Sequence, residues 1–253
     1  MAKYYNNMRD SCGMSVQDEF KEYLQDQRDI FDRMITEDWD TYISPAWDVA
    51  RKFEVAQVMA GWQPKLILDI GCGCGFHDKE LAELPFVSRV DAFDYSAKSV
   101  EVAEAMYPHP KVRRFVADMA TFWPANKYDL VVSFQVFEHL DDPNLYFARA
   151  RALCSSNGRI CIVTPNRQRL ENRLRTWRGE PEVLMDPQHF KEYSIDELRQ
   201  LGRAHGLRPI RSFGHTIYST RPRWLSRLPM KIGTRLGSLF PAIAHVVGVE
   251  FSV

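Results

Sequence analysis

Apolar residues along this chain fall into two spacings. The run Lys65-Leu-Ile-Leu-Asp-Ile70 follows Pro64 and is short and continuous, the pattern of a strand buried on both faces. Similar runs stand at 89–94, 112–117, 128–134, 159–164 and 207–213. Between them, apolar positions recur every three or four residues over 76–84, 97–106, 143–154 and 194–205, which predicts helices. Ser194 and Glu197 stand at the spacing of a capping box. Strands alternating with helices predict an α/β, doubly wound, largely parallel sheet covered on both faces.

Three stretches stand outside that alternation. Residues 15–60 read as helical, with Phe20, Tyr23, Leu24, Gln27, Ile30, Phe31 and Met34 near helical spacing and a second amphipathic stretch over 47–59. The expected division is a helical cap over 1–62 and a core over 63–253. Insertions near 166–192 and 216–245 are candidates for substrate specificity, because they follow the last crossovers of the sheet. Trp39, Tyr42 and Trp47 are open to two readings, as pocket lining or as core aromatics.

With 253 residues and 45% hydrophobic composition, the chain can bury one sizeable core. Lys and Arg number 33 and Asp and Glu 33, so no net charge draws it to nucleic acid. The cancellation hides an asymmetry: the first 48 residues are acidic, and beyond Gly202 the chain is basic. Five cysteines form no disulfide framework. The first residues lack an apolar signal core, and no run of about 18 apolar residues occurs, so a cytoplasmic location is expected.

Candidate chemistry begins where the first strand ends, at Asp69-Ile-Gly71-Cys-Gly73-Cys-Gly75-Phe-His77. Glycines between a strand and a helix let the backbone turn sharply and let a ligand approach it. About twenty residues on, the second strand ends at Asp94, where a carboxylate accepts ribose hydroxyls. A dinucleotide site wants a third glycine at position 76, which holds Phe. Asp69 would also repel a pyrophosphate, whereas it attracts a cationic ligand. Cys72 and Cys74 lack zinc spacing and read as small packing residues, so no metal is expected.

In these residues the chain resembles the class I S-adenosylmethionine-dependent methyltransferases, and among them the ubiquinone, menaquinone and sugar methylases, over residues 66–213. The resemblance implies a mostly parallel seven-stranded Rossmann-like sheet with an N-terminal helical cap, and S-adenosylmethionine as cofactor. It places Asp69, Gly71, Gly73 and Gly75 on the methionine part, and Asp94 with the adjoining Tyr95 on the ribose. Asp118 and Met119 fall on the adenine, and Phe134 and Gln135 on the sulfonium side.

Glu138 and His139 then fall beside the cofactor, and His189 falls in the first insertion facing the acceptor. His139 and His189 are the two candidate general bases, since a hydroxyl needs its proton drawn off before it attacks. Asp141 and Asp142, ahead of Pro143, are open to two readings, as helix caps or as help in binding a divalent cation. The expected acceptor is a sugar hydroxyl of a cell-envelope glycan or its precursor. A quinone precursor and a small metabolite are the alternatives, and a non-catalytic cofactor-binding partner is a further one. Arg167, Arg169, Arg173, Arg175 and Arg178 either pair with an anionic acceptor or form a solvated face. Residues 221–240 alternate basic and apolar side chains, open to peripheral contact with the anionic inner face of a membrane or to packing as a lid. The N-terminal helices are open to capping the site or to forming a homodimer.

Overall fold

A computed structural model of the chain describes residues 45–186, 188–219 and 227–253, with Asp29, residues 31–33, Ile35 and Leu225. Phe20, Tyr23, Leu24, Gln27, Ile30, Met34, Trp39, Tyr42 and residues 221–224 lie outside the described residues. The chain forms two compact units, Met1–Tyr42 and Ile43–Val253. In the first, the described residues are helical.

The second unit is built on a seven-stranded sheet. Its elements, in chain order, are α1 (Pro45–Val58), β1 (Leu66–Ile70), α2 (Phe76–Ala82), β2 (Arg89–Asp94), α3 (Ala97–Met106), β3 (Val112–Val116), β4 (Tyr128–Phe134), α4 (Pro143–Leu153), β5 (Cys154–Pro165), α5 (Leu170–Trp177), α6 (Ile195–Ala204), β6 (Arg208–His215), α7 (Met230–Leu239) and β7 (Val246–Ser252). The strand order is β3-β2-β1-β4-β5-β7-β6. Strands β1 to β5 run parallel, and β7 enters antiparallel between β5 and β6.

Alternation along β1 divides the core. Leu68 and Ile70 pack with Phe137, Tyr146 and Phe147 on one face, while Ile67 packs with Val55, Leu81 and Val132 on the other. Asp129 accepts the backbone N–H groups of Lys65 and Leu66 at 2.9 and 3.0 Å, which fixes where β1 begins. The helix starts obey the capping chemistry expected of them. Asp142 caps α4 with Pro143 in its first turn, and Ser194 with Glu197 makes the capping box of α6.

The sequence reading placed six strands and left the seventh unlocated; it is Val246-Val-Gly-Val-Glu-Phe-Ser252. Flanked on both edges, β7 is buried at all but its last residue, so it shows no alternation of apolar and polar residues. The two insertions carry helices α5 and α7. Helix α7 lies on β6 through small residues: a Cβ on Gly237 would stand 2.2 Å from the Thr216 nitrogen.

The Phe213 ring of β6 lies across Gly248 of β7, where a Cβ would sit 2.1 Å from it. Substituting Gly248→Ala is therefore expected to cost about 1–3 kcal/mol by overpacking. Urea denaturation should show a lowered midpoint, partly restored when Phe213→Leu is added.

Candidate active site

Every residue that the sequence assigned to the cofactor stands at the carboxyl end of β1, β2, β3 or β4, or in the loop that follows it. This is the edge where doubly wound sheets bind ligands, beside the point where the strand order reverses between β1 and β4. Gly71, Gly73 and Gly75 adopt φ of 71°, 51° and 82°, a region that side-chain-bearing residues enter at a cost. The loop is tied to β2 by Gly71 N–H donating to the Phe93 carbonyl at 2.8 Å. The Asp94 carboxylate accepts the N–H of Gly73 and of Ser96, each at 2.9 Å. Beneath the loop Arg114 grips Asp78 through two bonds of 2.7 Å.

Asp69 is buried, and neither of its carboxylate oxygens has a hydrogen-bond partner among the described residues. Burial pushes its carboxyl well up, and the charges of Asp78 and Asp94 push it further, against the opposing charge of Arg114. A cation placed against this carboxylate would relieve the strain.

Asp118 follows β3 and its carboxylate accepts the Ala120 N–H at 2.7 Å, while Met119 is half-buried against the core. Tyr95 is half-buried beside Asp94. The Phe134 ring stacks on His77 at 4.0 Å and 5°. Gln135 holds φ at 57°, an uncommon conformation for a side-chain-bearing residue and a mark of backbone constrained at a site.

A polar network behind this edge was not foreseen. Glu54 of α1 accepts His77 Nε2 at 2.7 Å, His215 Nε2 at 2.9 Å and the Gln135 amide at 3.2 Å. Burial opposes its charge, yet the bonds from His215 and His77 hold its carboxyl at about 2. One readable sign existed: Glu54 stands one turn from both Ala50 and Val58, on the buried stripe of its helix.

The second cluster unites residues taken separately in the sequence. A turn at Phe137–His139 follows Gln135 and buries Glu138, whose Oε2 accepts the Thr164 hydroxyl at 2.8 Å. The Glu138 carbonyl accepts the N–H of Phe190 at 2.9 Å, which draws the first insertion onto the turn. His139 and His189 thereby meet edge to face at 4.9 Å. His189 Nδ1 lies 2.9 Å from Glu192 Oε1, and Glu192 is in turn paired with buried Arg169. Burial opposes the Glu192 charge, but the bonds from His189, the Met185 N–H and Arg169 hold its carboxyl below the ordinary value. Burial lifts Glu138 to about 7, against the lowering effect of His189. Burial and then His189 depress His139 to about 4, so its imidazole is neutral at pH 7.

The arginines of the insertion are largely spoken for. Arg167 reaches Glu182 and Glu197, Arg175 and Arg178 reach Glu180, and Arg173 reaches Gln168. Trp47 and Trp177 are both exposed, Trp177 at 82%.

A family model described as a methyltransferase domain matches residues 50–212. The chain belongs to that family. It is 30% identical over 166 residues to malonyl-acyl-carrier-protein O-methyltransferase 1 of Ilyobacter polytropus, covering 64% of this chain. It is also 30% identical over 109 residues to the mitochondrial ubiquinone biosynthesis O-methyltransferase of Candida albicans, covering 40% of this chain. The matched part spans 60% of the first relative's length and 32% of the second's. Among solved structures, magnesium protoporphyrin IX methyltransferase from Synechocystis PCC 6803 with bound SAH superposes at a TM-score of 0.61. That match has 19% identity and covers 90% of this chain and 99% of that one.

S-adenosylmethionine is the cofactor of this class of methyltransferase, and the residues present at the carboxyl edge fit it. The unsatisfied Asp69 carboxylate suits its positive methionine part, and the left-handed glycines leave room for it at the backbone.

Asp69 generates a signed prediction. Its raised carboxyl means that the ligand-free protein loses stability as pH rises past the ordinary carboxylate value, when an unpaired charge forms inside. Cofactor affinity should rise over the same range. Asp69→Asn should flatten both dependences, raise the ligand-free melting temperature at alkaline pH, and weaken binding by about 10–100-fold, as expected of a lost bond to a charged group. Thermal melts and calorimetry with S-adenosylhomocysteine across pH check this.

Proposed function

We propose that this chain O-methylates its acceptor, and that the hydroxyl is received and deprotonated at the cluster of Glu138, His139 and His189. The observation that carries this reading is the meeting of two histidines and a carboxylate immediately beyond Gln135, at the cofactor edge. Both relatives named above are O-methyltransferases by name, which supports oxygen as the acceptor atom.

Bound S-adenosylmethionine supplies an activated methyl group, so the chain's task is to align an oxygen, keep water out and accept one proton. His189 is the better placed base. Its Nδ1 is held by Glu192, a carboxylate that stabilises the imidazole once Nε2 has taken a proton. His139, depressed by burial, is the weaker base and positions the acceptor by hydrogen bonding.

For the acceptor itself we favour a sugar hydroxyl of a cell-envelope glycan or its precursor. The exposed Trp177 and the exposed run Val183-Leu-Met185, a few residues ahead of His189, offer an aromatic and apolar surface suited to the face of a sugar ring. The same run suits a quinone precursor, which is the second reading. Since the insertion's arginines bind its own carboxylates and carbonyls, recognition of a free anionic acceptor by them is the less favoured idea.

His189→Ala should lower turnover by about 100-fold or more while S-adenosylhomocysteine affinity holds, as removal of a general base does. A panel of sugar, phenol and carboxylate acceptors, read by S-adenosylhomocysteine release, separates the acceptor classes; transfer to carboxylates alone would reject the hydroxyl reading.

Peripheral contact with an anionic membrane extends this reading. Helix α7 turns Gly233 and Gly237 to the sheet and leaves Ile232, Leu239 and the following Phe240 exposed near Lys231 and Arg235. No helix among the described residues is long and apolar enough to cross a membrane. Vesicles of anionic lipid should co-sediment the protein at low salt and lose it when Leu239→Ser and Phe240→Ser are combined.

A further inference from the structure

We propose that Glu138, His139 and His189 together hold a divalent transition-metal ion. One donor atom from each lies within 4.8 Å of the others, and all three side chains are buried or half-buried. A cation with ligands at about 2.0–2.2 Å draws such donors together by an ångström or so, within reach of side-chain rotation. Two imidazoles and one carboxylate favour zinc, iron, cobalt or manganese over magnesium, which prefers a shell of oxygens.

The atoms behind the cluster support this assignment independently of the donor distances. A metal-binding histidine typically has its other ring nitrogen fixed by a carboxylate or a backbone carbonyl, which sets the tautomer and aims the lone pair. His189 has Nδ1 against Glu192 Oε1 at 2.9 Å, leaving Nε2 for the metal. Glu192 is itself fixed by Arg169 and the Met185 N–H. His139 donates a ring N–H to the Gln188 backbone, so its other ring nitrogen carries a lone pair. Glu138 is anchored by the Thr164 hydroxyl on Oε2 and offers a carboxylate oxygen within reach of both imidazoles. Each residue is thus anchored by the protein and offers one donor atom to the cluster.

The inference deepens the proposed function and rests on its placement of the acceptor at this cluster. A divalent cation with open positions lowers the pKa of an oxygen donor that joins it. The acceptor's proton then leaves to solvent instead of to His189. Its oxygen forms the new bond to the methyl carbon as the carbon–sulfur bond breaks, and that electron pair stays on sulfur.

The test uses full-length, tag-free protein stripped with chelator. Titration with Co(II), followed by its visible absorption, and with Zn(II) and Mn(II) by calorimetry should show one site of micromolar affinity or better. His139→Ala, His189→Ala and Glu138→Gln should each weaken it at least tenfold. Glu192→Gln, which touches no metal, should weaken it about 10–100-fold. Cys74→Ser should leave it unchanged. Retained S-adenosylhomocysteine binding shows that a variant has folded. Absence of binding to wild-type protein, or binding indifferent to His139→Ala and His189→Ala, overturns the proposal. If the stripped enzyme still methylates hydroxyls at full rate, the metal has no part in the reaction and the imidazole base of the previous section stands. If the metal binds as described but no hydroxyl is methylated, the acceptor reading falls and the metal site remains.

Discussion

Where β1 and β4 lie side by side, the chains leaving them must diverge around a ligand, and the space between them is set by one contact. Gly71 lies so close to Val136 that a Cβ on the glycine would stand 2.5 Å from the valine side chain. Only a residue without a side chain, in the left-handed conformation, closes that gap. Its consequences run outward on both sides. Asp69 lies in β1 two residues before Gly71 on one side, and Gln135 holds a positive φ next to Val136 on the other. The turn that follows carries Glu138 and His139 past the cofactor edge to meet the first insertion.

Charge at this edge is kept out of balance. Asp78 is paired with Arg114, and Asp94 is occupied by backbone donors, but Asp69 is buried with neither. In a protein selected for stability alone, an unpaired buried carboxylate would be replaced by an apolar residue. Its presence makes sense as one half of an interaction whose other half arrives with the ligand. A cationic ligand bound there would link binding to folding through the same carboxyl.

The parts of this architecture that the sequence discloses are those written locally. A strand, a glycine loop and an acid twenty residues later are contiguous or nearly so, and the capping box at Ser194 and Glu197 spans a single turn. Strand β7 escaped because burial on both sides erases the alternation that marks a strand. The network around Glu54 escaped because His215 lies 161 residues away. His139 and His189 were each singled out, yet as competing candidates. Nothing in a separation of fifty residues says that the Glu138 carbonyl draws Phe190 to it and makes them neighbours. The expectation of no metal rested on cysteine spacing, which says nothing about the grouping of Glu138, His139 and His189.

Two clusters of the same composition, one glutamate and two histidines, stand on either side of Gln135, and their contrast assigns their roles. Around Glu54, both carboxylate oxygens are filled: one takes His215 and Gln135, the other takes His77. That carboxyl is held at about 2, and the cluster binds α1 to α2 and β6 as a finished structural joint. Around Glu138 the Thr164 hydroxyl and the residue's own backbone N–H reach the carboxylate, yet burial outweighs them and the carboxyl rises to about 7. Its two histidines are fixed from behind, by Glu192 and by the Gln188 backbone, and not by the glutamate they face. A buried cluster whose members are anchored individually but do not satisfy one another is costly unless something else completes it. The first cluster needs nothing further and explains how the site is held. The second leaves its glutamate raised and its histidines facing one another, which is the feature on which the proposed acceptor and metal site rests.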